Sequence, residues 1–486
     1  MTPEQEQKSI VSQQVGSKST DIRLRGAELY FLPVQTRVPL KFGTETLTSV
    51  TCARVRVVVE DSKGRLASGW GETPLSVQWV WPSNVSYGYR HDALKDFCEQ
   101  LTAAWASFDI SGHPLEIGYE FQQRVLPTLL GGFNRGCQPQ ERMSNLAALV
   151  CCSPFDLALH DAFGNAHGLP VYDTYTEAYM NRDLGYYLEA AEDVDIDFHG
   201  KYPADFLLKQ REEKMPVWHL VGGLDPLNKS QLNGQEVDDQ EPVLLGDWIE
   251  QDGIRCLKVK LRGNDAEWDY NRILEVSAIA QHKDGVHLSA DFNCTVTDAR
   301  YVNDVLDQLR DKEPAAFDSI LYVEQPFPYD LESNRIDVHS VSARKPLLMD
   351  ESAHNWEYIR LGRSLGWDGV ALKTCKTQTG ALLMLCWAKA HGMHVMVQDL
   401  TNPMLAQIPH VLLASHAGTM MGVESNAMQF YPLASTAEAK VHPGVYKRRN
   451  GQLELSTIQG PGFGYRIDEI DRSLGEPVVS CGTVNL

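Results

Sequence analysis

The stretch "RCLKVKLRG" (255–263) sets two lysines, Lys258 and Lys260, two positions apart inside an otherwise apolar run. Side chains at i and i+2 of a strand share a face, so both amines point the same way in what reads as a buried strand. Further short apolar runs flank it: "VWHLVG" (217–222) before, then "VHLSADF" (286–292), "ILYVEQP" (320–326), "PLLMDES" (346–352), "GVALKT" (369–374), "HVMVQDL" (394–400) and "MGVES" (421–425). Helix-compatible segments lie between them. Eight strand candidates alternating with helices predict an α/β fold, a (β/α) barrel of the TIM type.

Working outward, residues 23–72 alternate like strands, and "RVRVVVEDSKGRLASGWGE" (54–72) reads as a hairpin around a Lys-Gly turn. The spacing then turns helical. "SPFDLALHDAFGNAHGLP" (153–170) reads as a helix with Ser153 as N-cap, Pro154 in its first turn, and Gly168 and Pro170 at its end. The reading gives a polar, disordered tail over 1–22, an α+β capping domain over 23–173, and an irregular connection over 174–215. The barrel takes 216–430, and a C-terminal segment over 431–486 returns to the capping domain. The tail has the polarity of no signal sequence. A formal net charge of −20 argues against nucleic acid and anionic membranes as partners. The ten cysteines show no zinc-type pairing and are expected as free thiols in a cytoplasmic protein.

Several barrel runs end on a charge where a buried parallel strand should stay apolar. Asp291 and Asn293 end the third run, Glu324 the fourth, Asp350 the fifth and Lys373 the sixth. The C-terminal strand ends of such a barrel share one mouth, so three carboxylates converge there. Anions brought together and buried repel and need a cation. Asp, Glu and Asp are hard oxygen ligands that suit one Mg²⁺ ion, leaving places for substrate. Lys258 and Lys260 sit on the second strand and Lys373 on the sixth, opposite each other in an eight-membered ring. Cations crowded in this way are expected to bring a lysine pKa toward neutrality, as a general base requires.

These residues resemble the enolase superfamily, specifically the muconate lactonizing enzyme (mandelate racemase/muconate cycloisomerase-like) subgroup. The resemblance rests on "KVK" (258–260), "DFN" (291–293), "EQP" (324–326), "DES" (350–352) and "LKTCK" (372–376), with "GWGE" (69–72) and "DLALHDAFGNAHGLP" (156–170) similar to pieces of that family's cap. It implies a modified (β/α)7β barrel with Asp291, Glu324 and Asp350 as Mg²⁺ ligands. It also implies Lys260 and Lys373 as acid/base groups on the two faces, with Lys258 assisting. The implied activity abstracts the proton α to a small-molecule carboxylate and stabilises an enediolate, as cycloisomerases, racemases, epimerases and syn-eliminating synthases do; related enzymes are commonly homo-oligomers. An acid-sugar dehydratase of the same superfamily and a non-catalytic binding protein on the same fold are the alternatives. A dehydratase commonly uses a histidine at the end of a late strand, and none is obvious here.

Blander readings stand beside these: strand-end caps in salt bridges for the three acids, solvated amines on an exposed strand for Lys258 and Lys260. Asn293 is a candidate support for the metal ligands. Asp399, Gln398 and Glu424 are placed to touch substrate or orient Lys260. Glu351 is expected to point away into a salt bridge, Lys376 to be a solvated or ion-paired helix-start residue, and His410 to be a packing residue. His394 precedes its strand. Specificity is expected from "VPLKFGTET" (38–46) and "TPLSVQWVWP" (73–82), with Lys41 facing an anionic substrate and Trp79 or Trp81 forming an apolar wall. "DKEPAAFDS" (311–319) reads as extra loop.

Overall fold

The computed structural model describes residues 17–234 and 236–485. Of the expected disordered tail, residues 1–16 lie outside the described residues. Asp21 and Ile22 are buried, because β1 (Ile22–Phe42) already pairs at Ile22 with Asp61 and Gly112. It forms a long antiparallel hairpin with β2 (Glu45–Asp61), which continues into β3 (Leu66–Pro74) through the expected turn at Lys63 and Gly64. A two-residue β4 (Ser111–Gly112) borders β1.

The helix Asn145–His167 lies across this sheet. It is capped by Ser144, whose hydroxyl accepts from the Ala147 N–H at 3.0 Å, and ends at Gly168 in the left-handed region (φ 67°). The expected cap at Ser153 is therefore corrected: Ser153 and Pro154 are mid-helix. Ser153 instead donates its hydroxyl to the Thr374 carbonyl at 2.8 Å, at the end of a barrel strand. The segment Pro139–His167 is apolar and long enough to cross a membrane, yet its apolar window is wholly buried within the protein. A helix apolar on every side is one covered on every side; here the sheet covers one face and the barrel the other. Gly69 and Gly71 let β3 lie against it. A Cβ at Gly71 would come within 2.1 Å of the Pro154 carbonyl oxygen.

The eight apolar runs form β5 (Lys214–Val221), β6 (Cys256–Lys260), β7 (His287–Asp291), β8 (Ile320–Glu324), β9 (Leu347–Met349), β10 (Gly369–Leu372), β11 (His394–Val397) and β12 (Val423–Glu424). Each pairs in parallel with the next from β5 to β11, and β12 returns to pair with β5, giving the order β11-β10-β9-β8-β7-β6-β5-β12. Among the described residues no ladder joins β11 to β12. The Met420 N–H donating to the Val395 carbonyl at 2.9 Å crosses there. A short β13 (Gln452–Glu454), unforeseen in the sequence, adds antiparallel to β5. Finally β14 (Val479–Gly482) pairs with β1, so the C-terminus adds an edge strand to the first sheet.

Two other readings change. The extra loop over 311–319 contains a second helical piece, Pro314–Ser319, after the helix Ala299–Lys312; Pro314 suits a first helical position. The 174–215 connection is irregular as read, but Tyr175, Met180, Leu184, Tyr187 and Phe198 bury themselves in the barrel's outer core. The Trp387 indole N–H donates to the Glu189 carbonyl at 2.8 Å and fixes it there.

Candidate active site

Strand register gathers the charges. Lys260 on β6, Asp291 on β7 and Glu324 on β8 are successive partners in one row across the ladder, so all three point inward. Lys258 lies one inward position deeper. Its ammonium is 2.6 Å from Glu324 Oε1, 2.9 Å from Glu424 Oε2 on β12 and 3.1 Å from Asp291 Oδ2. Lys260 bonds the same Asp291 oxygen. Across the mouth, Lys373 at the end of β10 lies 3.2 Å from Asp350 Oδ2 and donates to the Asp399 carbonyl at 3.0 Å. All of these side chains are buried.

The electrostatics departs from expectation at the lysines. Burial disfavours the Lys258 and Lys373 ammonium groups, but carboxylates overcome it: Glu324, Glu424 and Asp291 around Lys258, Asp350 beside Lys373. Both lysines are held above the ordinary lysine range, not brought toward neutrality. Beside them Lys376 is lowered, by burial and by Lys373, with Asp350 opposing. It is also not solvated: it is buried, donates to the Asp350 and Ala353 carbonyls, and lies 3.5 Å from Asp350 Oδ1. Burial raises both Asp291 and Asp350, yet Lys260 and Lys258, and Lys373 and Lys376, pull them below the usual carboxylate range. Glu324 goes the other way, raised well above it by burial and by Asp291, Asp350 and Glu424 despite Lys258.

Among the described residues, no three His, Cys, Asp or Glu side chains already stand grouped as a metal-binding set. Lys258 lies between Asp291 and Glu324, and Asp350 is drawn to Lys373 and Lys376. The donor chemistry nevertheless fits a hard divalent cation. Asp350 Oδ1, Glu351 Oε2 and Asn293 Oδ1 are buried oxygens without a hydrogen-bond donor. Oxygens short of donors suit Mg²⁺. Glu351 does not point away into a salt bridge. It accepts from the Trp79 indole at 3.0 Å and the Asn293 amide at 3.2 Å, and burial beside Asp350 and Asp291 pushes its carboxyl up to about 7.

Neutral hydrogen bonds hold the frame. The Gln325 side-chain oxygen accepts from the Asp350 and Ser352 N–H groups and the Ser352 hydroxyl at 2.8, 3.2 and 2.7 Å. Gln398 donates to Glu324 Oε2 at 2.6 Å. Asn426 donates from its side chain to Glu424 at 2.8 Å and from its backbone N–H to Asp399 at 2.8 Å. Asp399 is thus engaged as an acceptor, and the Asn293 backbone N–H holds Asp291 Oδ1 at 2.9 Å. The His410 ring Nε2 lies 2.6 Å from the Glu424 carbonyl. Asn293, Cys294, Gln325, Thr377, Thr401 and Met404 have positive φ, all in the segments that follow the barrel strands. Such strain persists where the surroundings over-determine it. Sequence reasoning missed Gln325, Ser352 and Asn426; their signal was a polar residue beside each acid in "EQP", "DES" and "ESN".

The capping domain roofs the mouth. Lys373 lies 5.2 Å and Lys376 5.5 Å from the Trp79 ring centre, and Lys260 lies 5.9 Å from Phe42. Beneath them a cavity of about 40 Å³ reaches Lys258, Lys260, Lys373, Asp350 and Glu424. One expected contact is absent, and of the two tryptophans it is Trp79 that lines the cavity. Along β1, Leu40 and Phe42 face the cavity, so the alternating Lys41 does not, and its ammonium folds back to the Thr44 carbonyl at 2.7 Å. Trp81 packs against Tyr89 in the cap core.

Residues 244–471 match a family described as enolase C-terminal domain-like. Comparison with curated protein sequences finds no match. Similar solved structures include N-succinyl Arg/Lys racemase from Bacillus cereus (17% identity, TM-score 0.60, 94% of this chain and 99% of that one). Muconate lactonizing enzyme from Pseudomonas fluorescens, complexed with muconolactone, is similar at 16% identity and TM-score 0.57 (91% and 95%). A dipeptide epimerase from Enterococcus faecalis, complexed with Mg and L-Leu-L-Tyr, is similar at 15% identity and TM-score 0.58 (91% and 99%). The barrel segment thus matches the enolase C-terminal domain-like family, and the chain as a whole shares the fold of these solved structures.

Proposed function

We propose that this protein is an enolase-superfamily isomerase or lyase that removes the proton α to a substrate carboxylate, using Lys260 and Lys373 on opposite faces. The observation that carries the reading is this opposition: Lys260 ends β6, Lys373 follows β10, and Asp291 and Glu324 end, and Asp350 follows, the strands between. The racemase and epimerase among its structural relatives support the same chemistry. Asp291, Glu324 and Asp350 would hold Mg²⁺, which when bound supplies a Lewis acid for the substrate carboxylate. Lys258, fixed among Glu324, Glu424 and Asp291, contributes permanent positive charge beneath the substrate. Lys373 Nζ exchanges a proton on one face of the α-carbon and Lys260 Nζ on the other. With both acting, configuration inverts; with one acting and the other stabilising charge, the site supports cycloisomerisation or elimination.

The roof formed by Phe42 and Trp79 keeps water from the exchanging amines. The dehydratase alternative loses support at β11, which is followed by Gln398 and Asp399, while His394 lies exposed at the strand's other end. The test is α-proton exchange of a carboxylate panel in D₂O with Mg²⁺, followed by NMR. Lys373→Ala is expected to slow exchange by roughly 10²–10⁴-fold. Undiminished exchange in that variant would remove Lys373 from the chemistry and overturn the reading.

A further inference from the structure

We infer that the substrate is a carboxylate whose remote portion is an uncharged apolar group, aryl or branched alkyl. The inference rests on the proposed function for its carboxylate end and on the roof of the same cavity for the rest. The uncharged part of the lining is Leu40, Phe42, Leu47, Trp79, Leu220 and Leu400, with the neutral hydroxyls of Ser76 and Thr401. Among the described residues, no charged side chain from residues 17–213 lines the cavity. The two cap cations nearest by sequence are used elsewhere. Lys41 is tied to its own turn, and Arg37 donates to Asp239 at 2.8 Å and to the Glu241 carbonyl at 2.8 Å.

Every charge that does reach the cavity comes from the barrel and already has a partner. Glu424 is held by Lys258 and Asn426, Asp399 by Asn426 and Asn402, and Asp350 by Lys373 and Lys376. A second carboxylate or an ammonium on the remote end of a substrate would be buried against leucine and indole without a counter-ion, which is strongly unfavourable. An aryl or branched alkyl group removes apolar surface from water at the same place. Because the cavity is small, the hairpin tip at Gly43 or the Trp79 segment must shift to admit such a group, and the roof then closes on it.

The experiment compares N-acetyl-phenylalanine and N-acetyl-leucine with N-acetyl-lysine and N-acetyl-glutamate on the full chain with Mg²⁺. Binding is read by isothermal titration calorimetry and α-proton exchange by NMR in D₂O. The apolar pair is expected to bind at least tenfold more tightly than the charged pair. Leu47→Lys is expected to reverse the order between N-acetyl-leucine and N-acetyl-glutamate, and the milder Leu400→Gln to narrow the gap should the first variant not fold. Equal or tighter binding of a charged derivative, or no binding of the apolar pair, overturns the inference. Selective binding without exchange sustains it while counting against the proposed reaction; exchange without selectivity does the opposite.

Discussion

Lys258 is the residue on which the site's internal balance turns. One ammonium faces Glu324, Glu424 and Asp291, none of which is exposed. Replacing it with Met leaves three buried anions facing one another, and breaking a buried ion pair by removing one partner costs about 3–5 kcal/mol. Lys258→Met is therefore expected to lower the urea-unfolding free energy by that order, whatever its effect on turnover; a loss below about 1 kcal/mol would contradict this balance. Much at this scale was legible in the sequence. Charges ending apolar runs are expensive and few, so Lys258, Lys260, Asp291, Glu324, Asp350 and Lys373 stood out. The direction of the lysine shifts was not legible, since it depends on how many carboxylates each amine meets across strands far apart in the chain. The folded-back Lys41 and the inward Glu351 escaped for a related reason, being settled by a turn carbonyl and by an indole from another domain.

At the scale of elements, the contact between β3 and the helix Asn145–His167 decides how the cap sits on the barrel. Gly71 meets that helix backbone to backbone: an added Cβ would fall 2.1 Å from the Pro154 oxygen and 2.6 Å from the Ala158 nitrogen. Neither atom can swing away as a side chain could. Gly71→Ala is expected to cost about 1–3 kcal/mol or more through overpacking, read as a lowered urea midpoint with an unchanged m-value. The helix also reaches the barrel, where Asp156 accepts from the Thr379 N–H at 2.9 Å and Ser153 donates to Thr374, just beyond Lys373. The sequence marked the helix and its Gly168 stop correctly but set its start at Ser153. Ser-Pro is a good helix opening locally, and only the packing of the preceding apolar turns beneath the sheet carries the helix back to Ser144.

For the whole molecule, Asp161 ties three distant parts together. It accepts the Trp70 N–H of β3 at 2.9 Å and the Phe463 N–H of the C-terminal segment at 2.8 Å, from its place on the long helix. Burial outweighs these bonds and pushes its carboxyl up to about 7, against roughly 3.9 in an unfolded chain. Between about pH 4 and pH 7 the folded state then holds a proton the unfolded chain has lost, so stability falls as pH rises through this window and levels off above it. The penalty is on the order of 4 kcal/mol. Asp156, pushed to about 6, adds in the same direction. Urea midpoints across this range should show the decline, and Asp161→Asn should flatten it while losing an acceptor. Added MgCl₂ should raise the melting temperature with concentration, by the equivalent of about 2.7 kcal/mol at a hundredfold excess over its dissociation constant, and EDTA should reverse the gain. What the sequence determined by itself was the barrel and the identity of its charged mouth residues, because period, burial and the cost of a charge at a strand end are local properties. The tertiary structure alone decided which carboxylate each lysine meets, that the roof over them is apolar, and that a helix read nine residues too short at its start runs between two domains. Those follow from distances between segments hundreds of residues apart, which no local pattern encodes.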